Sequence, residues 1–85
     1  MASEEDRFDI VGIGASTVDV LSRVDHLPAM DEVMQAREMV LQGGGPVSTA
    51  LVTAARLGAR TAMLDAIGDD WSGDQVRAGF HAEGV

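Results

Sequence analysis

Apolar positions along this chain fall into short blocks separated by glycine and proline, and the spacing inside each block predicts its conformation. Phe8-Asp9-Ile10-Val11-Gly12-Ile13-Gly14 is a short apolar run bounded by glycine, which predicts a buried strand of a parallel sheet. Val18 to Val24 is a second extended candidate, interrupted by Asp19, Ser22 and Arg23. Leu27-Pro28-Ala29-Met30-Asp31 predicts a turn, because the residue before a proline is driven out of the helical region. Glu32 to Gln42 alternates imperfectly and is compatible with strand or helix. Val47, Ala50, Leu51, Ala54 and Leu57 recur at spacings of three and four, predicting a helix with one apolar stripe. Gly58 suits its C′ position, and Arg56 stands near the negative end of its dipole. Thr61 to Ile67 predicts the next strand. Ser72-Gly73-Asp74-Gln75 fits a capping box, with Trp71 and Val76 at the positions of a hydrophobic staple, and the helix it opens is expected to reach about Ala82 and end at Gly84. Met1 to Arg7 is polar and expected to fray.

Between the second and third of these strands lies Gly43-Gly44-Gly45-Pro46-Val47-Ser48-Thr49-Ala50, a glycine turn joined directly to a helix start. Glycine admits positive φ and lets a ligand approach the main chain without meeting a Cβ. Proline suits the first helical turn, where its missing N–H costs nothing. The first-turn amides have no partner inside the helix and sit at the positive end of its dipole, so they can meet an oxygen-rich ligand, with the Ser48 and Thr49 hydroxyls at the same pole.

Composition narrows the classes. The 85 residues include no cysteine and are 46% hydrophobic, which fits one small soluble domain and excludes a disulfide scaffold. A layered α/β unit of this length buries only about 60–65% of its unfolded surface and would be marginal alone. No apolar run approaches the ~20 residues of a membrane span, and the acidic start is unlike a signal peptide, so a cytoplasmic location is the expectation. Fourteen acidic residues against six arginines give a net charge of −8, making nucleic acid and anionic membranes poor partners.

The glycine loop, Ala55-Arg56-Leu57-Gly58 and Gly68-Asp69-Asp70-Trp71-Ser72-Gly73 together resemble the ribokinase-like (PfkB) family of carbohydrate kinases. In that family a strand ending in glycine is followed by a polar residue and an aspartate, a proline turn, a Gly-Gly loop, a helix ending Ala-Arg-Leu-Gly, a strand and Gly-x-Asp-x-x-Gly. Here those pieces are Val11 to Gly14, Thr17 and Asp19, Leu27-Pro28 with Asp31-Glu32, Gly44-Gly45, Ala55 to Gly58, and Gly68 to Gly73, running from about Asp9 to Val85. The resemblance implies a three-layer α/β/α sandwich with a small β lid, of which this chain is the N-terminal βαβα part, with lid strands at about residues 18–25 and 32–42. The order strand, lid, helix, strand, helix describes a right-handed βαβ with an insertion, leaving a sheet edge open where a third strand would enter. The chain is therefore expected to be the front of a protein of about 300 residues.

The resemblance also implies transfer of the γ-phosphoryl of Mg-ATP to a sugar hydroxyl. It implies that Asp19 grips sugar hydroxyls, which suits an ionised carboxylate able to accept two hydrogen bonds at once; on its own residues Asp19 also reads as a solvated turn aspartate. Gly44 and Gly45 would face the substrate with their amides, or serve tight turning alone. Thr49 falls where the family most often has asparagine, and the Gly-Gly-Gly-Pro-x-x-Thr-Ala pattern is similar to that of some ketose kinases, favouring a ketose; simple first-turn capping is the other reading. Thr17 sits where ribokinases carry asparagine, which disfavours ribose itself but keeps Thr17 as a residue able to hydrogen-bond the ligand. Ser16 reads as a turn residue. His26 and His81 read as surface residues with no evident partner. Asp65, Asp69, Asp70 and Asp74 do not match an EF-hand loop, so no metal ligand is expected, and Asp69 and Asp70 read as turn and helix-start residues. The family's catalytic aspartate, in a Gly-Ala-Gly-Asp motif beside the ATP pocket, has no counterpart here, so the segment alone is expected to be inactive and the ATP and Mg2+ site to lie outside it.

Two other readings exist. Gly12-Ile13-Gly14-Ala15-Ser16-Thr17 begins like a dinucleotide-binding fingerprint, but Thr17 replaces the third glycine and no helical stripe follows. A non-catalytic sugar-binding or dimerisation module could instead use the lid edges to pair with another chain. Pairing of lids into a homodimer is also common in the resembled family.

Overall fold

The computed structural model describes residues 7–85; the frayed start expected over Met1 to Arg7 lies outside the described residues except for Arg7. The elements are β1 (Ile10–Ile13), β2 (Thr17–Arg23), β3 (Glu38–Gly44), α1 (Pro46–Arg56), β4 (Thr61–Leu64) and α2 (Trp71–Glu83). β1 and β4 pair in parallel, with Ile10 opposite Thr61 and Ile13 opposite Leu64, and α1 is the crossover between them. β2 and β3 form a separate antiparallel ribbon in register from Thr17 opposite Gly44 to Arg23 opposite Glu38. The ribbon projects from the α/β unit: the radius of gyration is 16.7 Å, against about 12 Å for a compact domain of this length. The Gly12-x-Gly14 loop leads into strand β2, where a dinucleotide fingerprint requires a helix N-terminus, which removes that reading.

α1 lies against the parallel pair because β1 offers it no side chains. A β-carbon on Gly12 would stand 2.6 Å from Val47 Cγ1 and 2.8 Å from Leu51 Cδ1, and one on Gly14 would stand 2.8 Å from Val47 Cγ2. Leu51 is the buried apolar residue of this contact at 2% exposure, and the equally buried Thr61 donates its hydroxyl to the Leu51 carbonyl at 3.4 Å. The expected stripe is only partly right. Val47, Leu51 and Ala54 face the sheet, but Ser48 is buried beside them, while Ala50 is exposed and Leu57 is 84% exposed. At 100° per residue Ala50 and Leu57 share a flank of the helix that passes the edge of the two-stranded sheet.

Both helices end in a Schellman motif. In α1, Gly58 has φ 99°, its amide reaches the Ala55 carbonyl and Ala59 N reaches Ala54 O at 3.0 Å. In α2, Gly84 has φ 78° and Val85 N reaches Phe80 O at 3.0 Å. The start of α2 departs from expectation. Its N-cap is Asp70, whose carboxylate accepts from Gly73 N at 2.9 Å, so Trp71 and Ser72 already lie inside the first turn and neither the capping box on Ser72 nor the Trp71 staple forms. A carboxylate three residues before a glycine amide takes that donor first, and a β-carbon on Gly73 would collide with the Gly68 carbonyl, fixing the turn around Asp70.

β4 stops three residues before the expected end. Asp65 turns its carboxylate back onto Ala66 N at 2.7 Å, and such local capture of the backbone ends the ladder. Likewise, of the ambiguous stretch Glu32 to Gln42, only Glu38 onward is strand; the ribbon closes at Arg37, whose amide donates to the Arg23 carbonyl at 2.8 Å. The cap assignment is testable by urea unfolding: Asp70→Ala should lower stability by about 1 kcal/mol, while Ser72→Ala should stay within about 0.5 kcal/mol of the parent.

Candidate functional site

The site is built where three elements converge on the end of β1. Side chains alternate across β2 and β3, so one face of the ribbon carries Thr17, Asp19, Gln42 and Gly44, and the other carries Val18, Val20, Leu41 and Gly43. On the first face Thr17 Oγ1 donates to Asp19 Oδ1 at 2.7 Å. Gly44, opposite Thr17, is buried, and a β-carbon there would stand 2.6 Å from Thr17 Oγ1 and collide with the Asp19 carboxylate. The carboxylate thus lies against the main chain two residues before Pro46, at the start of α1.

Gly45 adopts φ 103°, a conformation that penalises any side chain, and a β-carbon there would collide with the Ala15 carbonyl. As the N-cap of α1 it has no side chain to offer, so the first-turn amides have no side-chain cap. Thr49 does not cap either: its amide donates to the Gly45 carbonyl at 2.9 Å as a helical bond, its carbonyl accepts from Thr53 Oγ1, and its side chain is exposed.

A cleft of about 530 Å³ adjoins this arrangement. Thr17, Gly44 and Thr49 border it, whereas Asp19 and Gly45 do not, and its apolar wall is formed by Val18 and Leu41 of the opposite ribbon face with Val52, Val76 and Phe80 of the helices. We weigh the polar face above this larger cleft as the candidate site, because a polyol needs the convergent carboxylate, hydroxyl and bare backbone found there. Arg56 and Glu83 close the helix end of the cleft in a two-point ion pair, with Arg56 Nε 2.7 Å from Glu83 Oε2.

Three features escape sequence reading. Ser16, read as a turn residue, donates its amide to Asp65 Oδ2 at 2.7 Å, and its hydroxyl accepts from the buried Ser48 at 3.0 Å. The only sequence signal was the parallel pairing itself, which brings the ends of β1 and β4 side by side. His26, read as lacking a partner, lies 2.8 Å from Glu32 Oε1 across the proline turn. Within the acidic group the unread duties are those of Asp65, which holds Ser16, and Asp74, which faces Arg77 at 3.7 Å, while Asp70 caps α2 as a helix-start residue. Among the described residues no three His, Cys, Asp or Glu side chains gather as a metal site, and no helix is long and apolar enough to cross a membrane.

Comparison with known proteins identifies the class. The profile of the pfkB family of carbohydrate kinases matches residues 7–85. The chain is 27% identical over 81 residues to a nucleoside kinase of Methanothermobacter thermautotrophicus, covering 95% of this chain and 26% of that protein. It is 34% identical over 83 residues to the 5-dehydro-2-deoxygluconokinase of Bacillus subtilis, covering 98% of this chain and 24% of that one. The crystal structure of ribokinase from Thermotoga maritima superposes with a TM-score of 0.78 at 28% identity, over 92% of this chain and 27% of that one. The chain belongs to the pfkB family of carbohydrate kinases and has the ribokinase-like α/β fold over its described residues. It spans about a quarter of the length of the curated relatives it matches.

Electrostatics adds a pH dependence. Arg60 bonds hold the Asp9 carboxyl below its ordinary value, the Ser16 amide does the same for Asp65, and Arg56 for Glu83. A carboxyl depressed in the folded state contributes stability above its unfolded value, and that contribution is lost as pH falls through the folded value. The urea midpoint should therefore be flat between about pH 5 and 7 and fall below about pH 4. Asp65→Asn should shallow that acid limb; an unchanged limb would show that Asp65 is not tied down in solution.

Proposed function

We propose that these residues form the sugar-gripping part of an ATP-dependent carbohydrate kinase, with Asp19, Thr17, Gly44, Gly45 and Thr49 at the sugar and the ribbon of β2 and β3 as the core of a lid spanning the segments expected at about residues 18–25 and 32–42. The observation that carries this reading is the placement of the Asp19 carboxylate, already joined to the Thr17 hydroxyl, against the side-chain-free backbone of Gly44 at a helix N-terminus. A sugar offers vicinal hydroxyls that donate to a carboxylate and ring or hydroxyl oxygens that accept from main-chain amides, so the two halves of the junction complement it. Its relatives, kinases of sugars and a nucleoside, support a small polyol as acceptor. A ketose is favoured by the Gly45-Pro46-Val47-Ser48-Thr49 stretch, and a cytoplasmic setting suits an enzyme drawing on ATP.

Phosphoryl transfer depends on positioning and charge neutralisation. On this reading the segment supplies the first: Asp19 orients the acceptor, and the ribbon excludes water when it closes. It assigns the described residues no part in Mg2+ or ATP binding, because the Gly-Ala-Gly-Asp motif that the resemblance places beside the ATP pocket has no counterpart among these 85 residues. The 85 residues alone are expected to have no kinase activity. The ribbon's unpaired edges and its exposed Val20, Leu21, Met39, Val40 and Leu41 suit pairing with a second copy, which makes a homodimer through the lid part of the proposal and a purely non-catalytic binding module its alternative.

Asp19→Ala in the protein as the gene encodes it should weaken sugar binding by at least ~2 kcal/mol, about 30-fold in affinity, by calorimetry. Unchanged affinity would remove Asp19 from the site and with it this reading. Sugar binding without any ATP-dependent phosphorylation would favour the module.

A further inference from the structure

Asp65 stands at the C-terminal end of β4, where the parallel register sets it beside the loop from β1 to β2. Its two carboxylate oxygens have separate tasks: Oδ1 accepts from Ala66 N, and Oδ2 reaches across to Ser16 N, both at 2.7 Å. Ser16 is simultaneously held from the α1 side by the buried Ser48 hydroxyl at 3.0 Å. The next residue is Thr17, whose hydroxyl holds Asp19. A chain of bonds therefore runs from β4 through Asp65, Ser16 and Thr17 to Asp19, and it meets α1 at Ser16.

We infer that Asp65 is a positioning residue for the sugar site: by fixing the Ser16 main chain between β4 and α1, it sets where Thr17 and Asp19 stand relative to Gly44. This rests on the kinase reading above. The loop 14–16 has no ladder of its own, since β1 ends at Ile13 and β2 begins at Thr17. Without Asp65 the Ser16 main chain loses its tie to β4, and the start of β2 is left with the Ser48 contact on the α1 side and its pairing with Gly44. Gly44 has no side chain to hold its neighbour in place, so a shift of β2 translates directly into a shift of the Asp19 carboxylate. The same bond holds the Asp65 carboxyl below its ordinary value.

The experiment is a steady-state assay of ADP release by the protein as the gene encodes it, first over a sugar panel, then with Asp65→Ala, Asp65→Asn and each of these in an Asp19→Ala background. Asp65→Ala should raise KM for the sugar by about tenfold or more, because small misplacements of a positioned group are costly. KM for ATP and kcat should stay within about twofold, the pattern of lost substrate grip. Asp65→Asn, which keeps one acceptor oxygen, should fall between the two. In the Asp19→Ala background the loss from Asp65→Ala should largely vanish, since residues acting as one unit are not additive. A sugar KM unchanged by Asp65→Ala, parallel loss of sugar and ATP parameters, or full additivity with Asp19→Ala would overturn the inference while leaving the kinase reading intact. A wild-type protein that phosphorylates no sugar would overturn both.

Discussion

The closeness of α1 to β1 governs everything built around it. Val47 and Leu51 press onto a strand stripped of side chains at Gly12 and Gly14, at distances no β-carbon would tolerate. A helix held farther from the strand by even one methyl group would carry its N-terminus away from the loop 14–16, and Ser48 could not reach Ser16. Packed interiors pass such displacements on because they have little free volume to absorb them. The glycine loop before α1 and the carboxylate on β2 meet because a contact elsewhere, between an aliphatic pair and bare backbone, fixes the distance between their supports.

Sequence periodicity was sufficient for the elements that satisfy their own backbone. Both helices, their glycine ends and the extended character of β1 and β2 could be read directly, because apolar spacing and glycine placement are local signals. Asp19 stood out for a similar reason, a carboxylate at a short interval after a strand-ending glycine. Two of the misses are contests over backbone amides. Asp70 and Ser72 both have capping side chains, and only the approach of Gly68 to Gly73 decides for Asp70. Asp65 ends β4 by capturing two amides, one of them 49 residues away. His26 and Glu32 meet across a turn in which Asp31 adopts φ 62°, a conformation its sequence tolerates without announcing. The stripe on α1 failed at Ala50 and Leu57 because helical spacing marks a face as apolar without saying whether anything covers it.

That uncovered surface is extensive. Ile10, Val11 and Ile13 on β1, Leu64 on β4 and Leu57 just past α1 are all exposed, and among the described residues Leu51 is the buried apolar side chain. Hydrophobic burial of this extent is small beside the conformational entropy of the described residues. The exposed ion pairs do not make up the difference. Asp9 with Arg60 and Arg23 with Glu38 lie in solvent, where such pairs contribute little, and their value is in fixing register at the start of β1 and the far end of the ribbon.

The ribbon illustrates how a period of two can divide labour. One face sets Thr17, Asp19 and Gln42 beside a bare glycine, and the other sets Val18 and Leu41 toward the helical side of the cleft. A slip of one residue in the β2–β3 register would exchange the two faces, turning the carboxylate to the apolar wall and valine to the site. A two-stranded ribbon is marginal by itself and cannot guard that register. The guard lies at its base, where Ser16 is gripped from β4 and from α1 and Gly44 is followed at once by the helix. With both strands anchored at that end, a slip would have to break the Asp65 and Ser48 bonds together, and so the polar face is fixed by contacts that no sugar need touch.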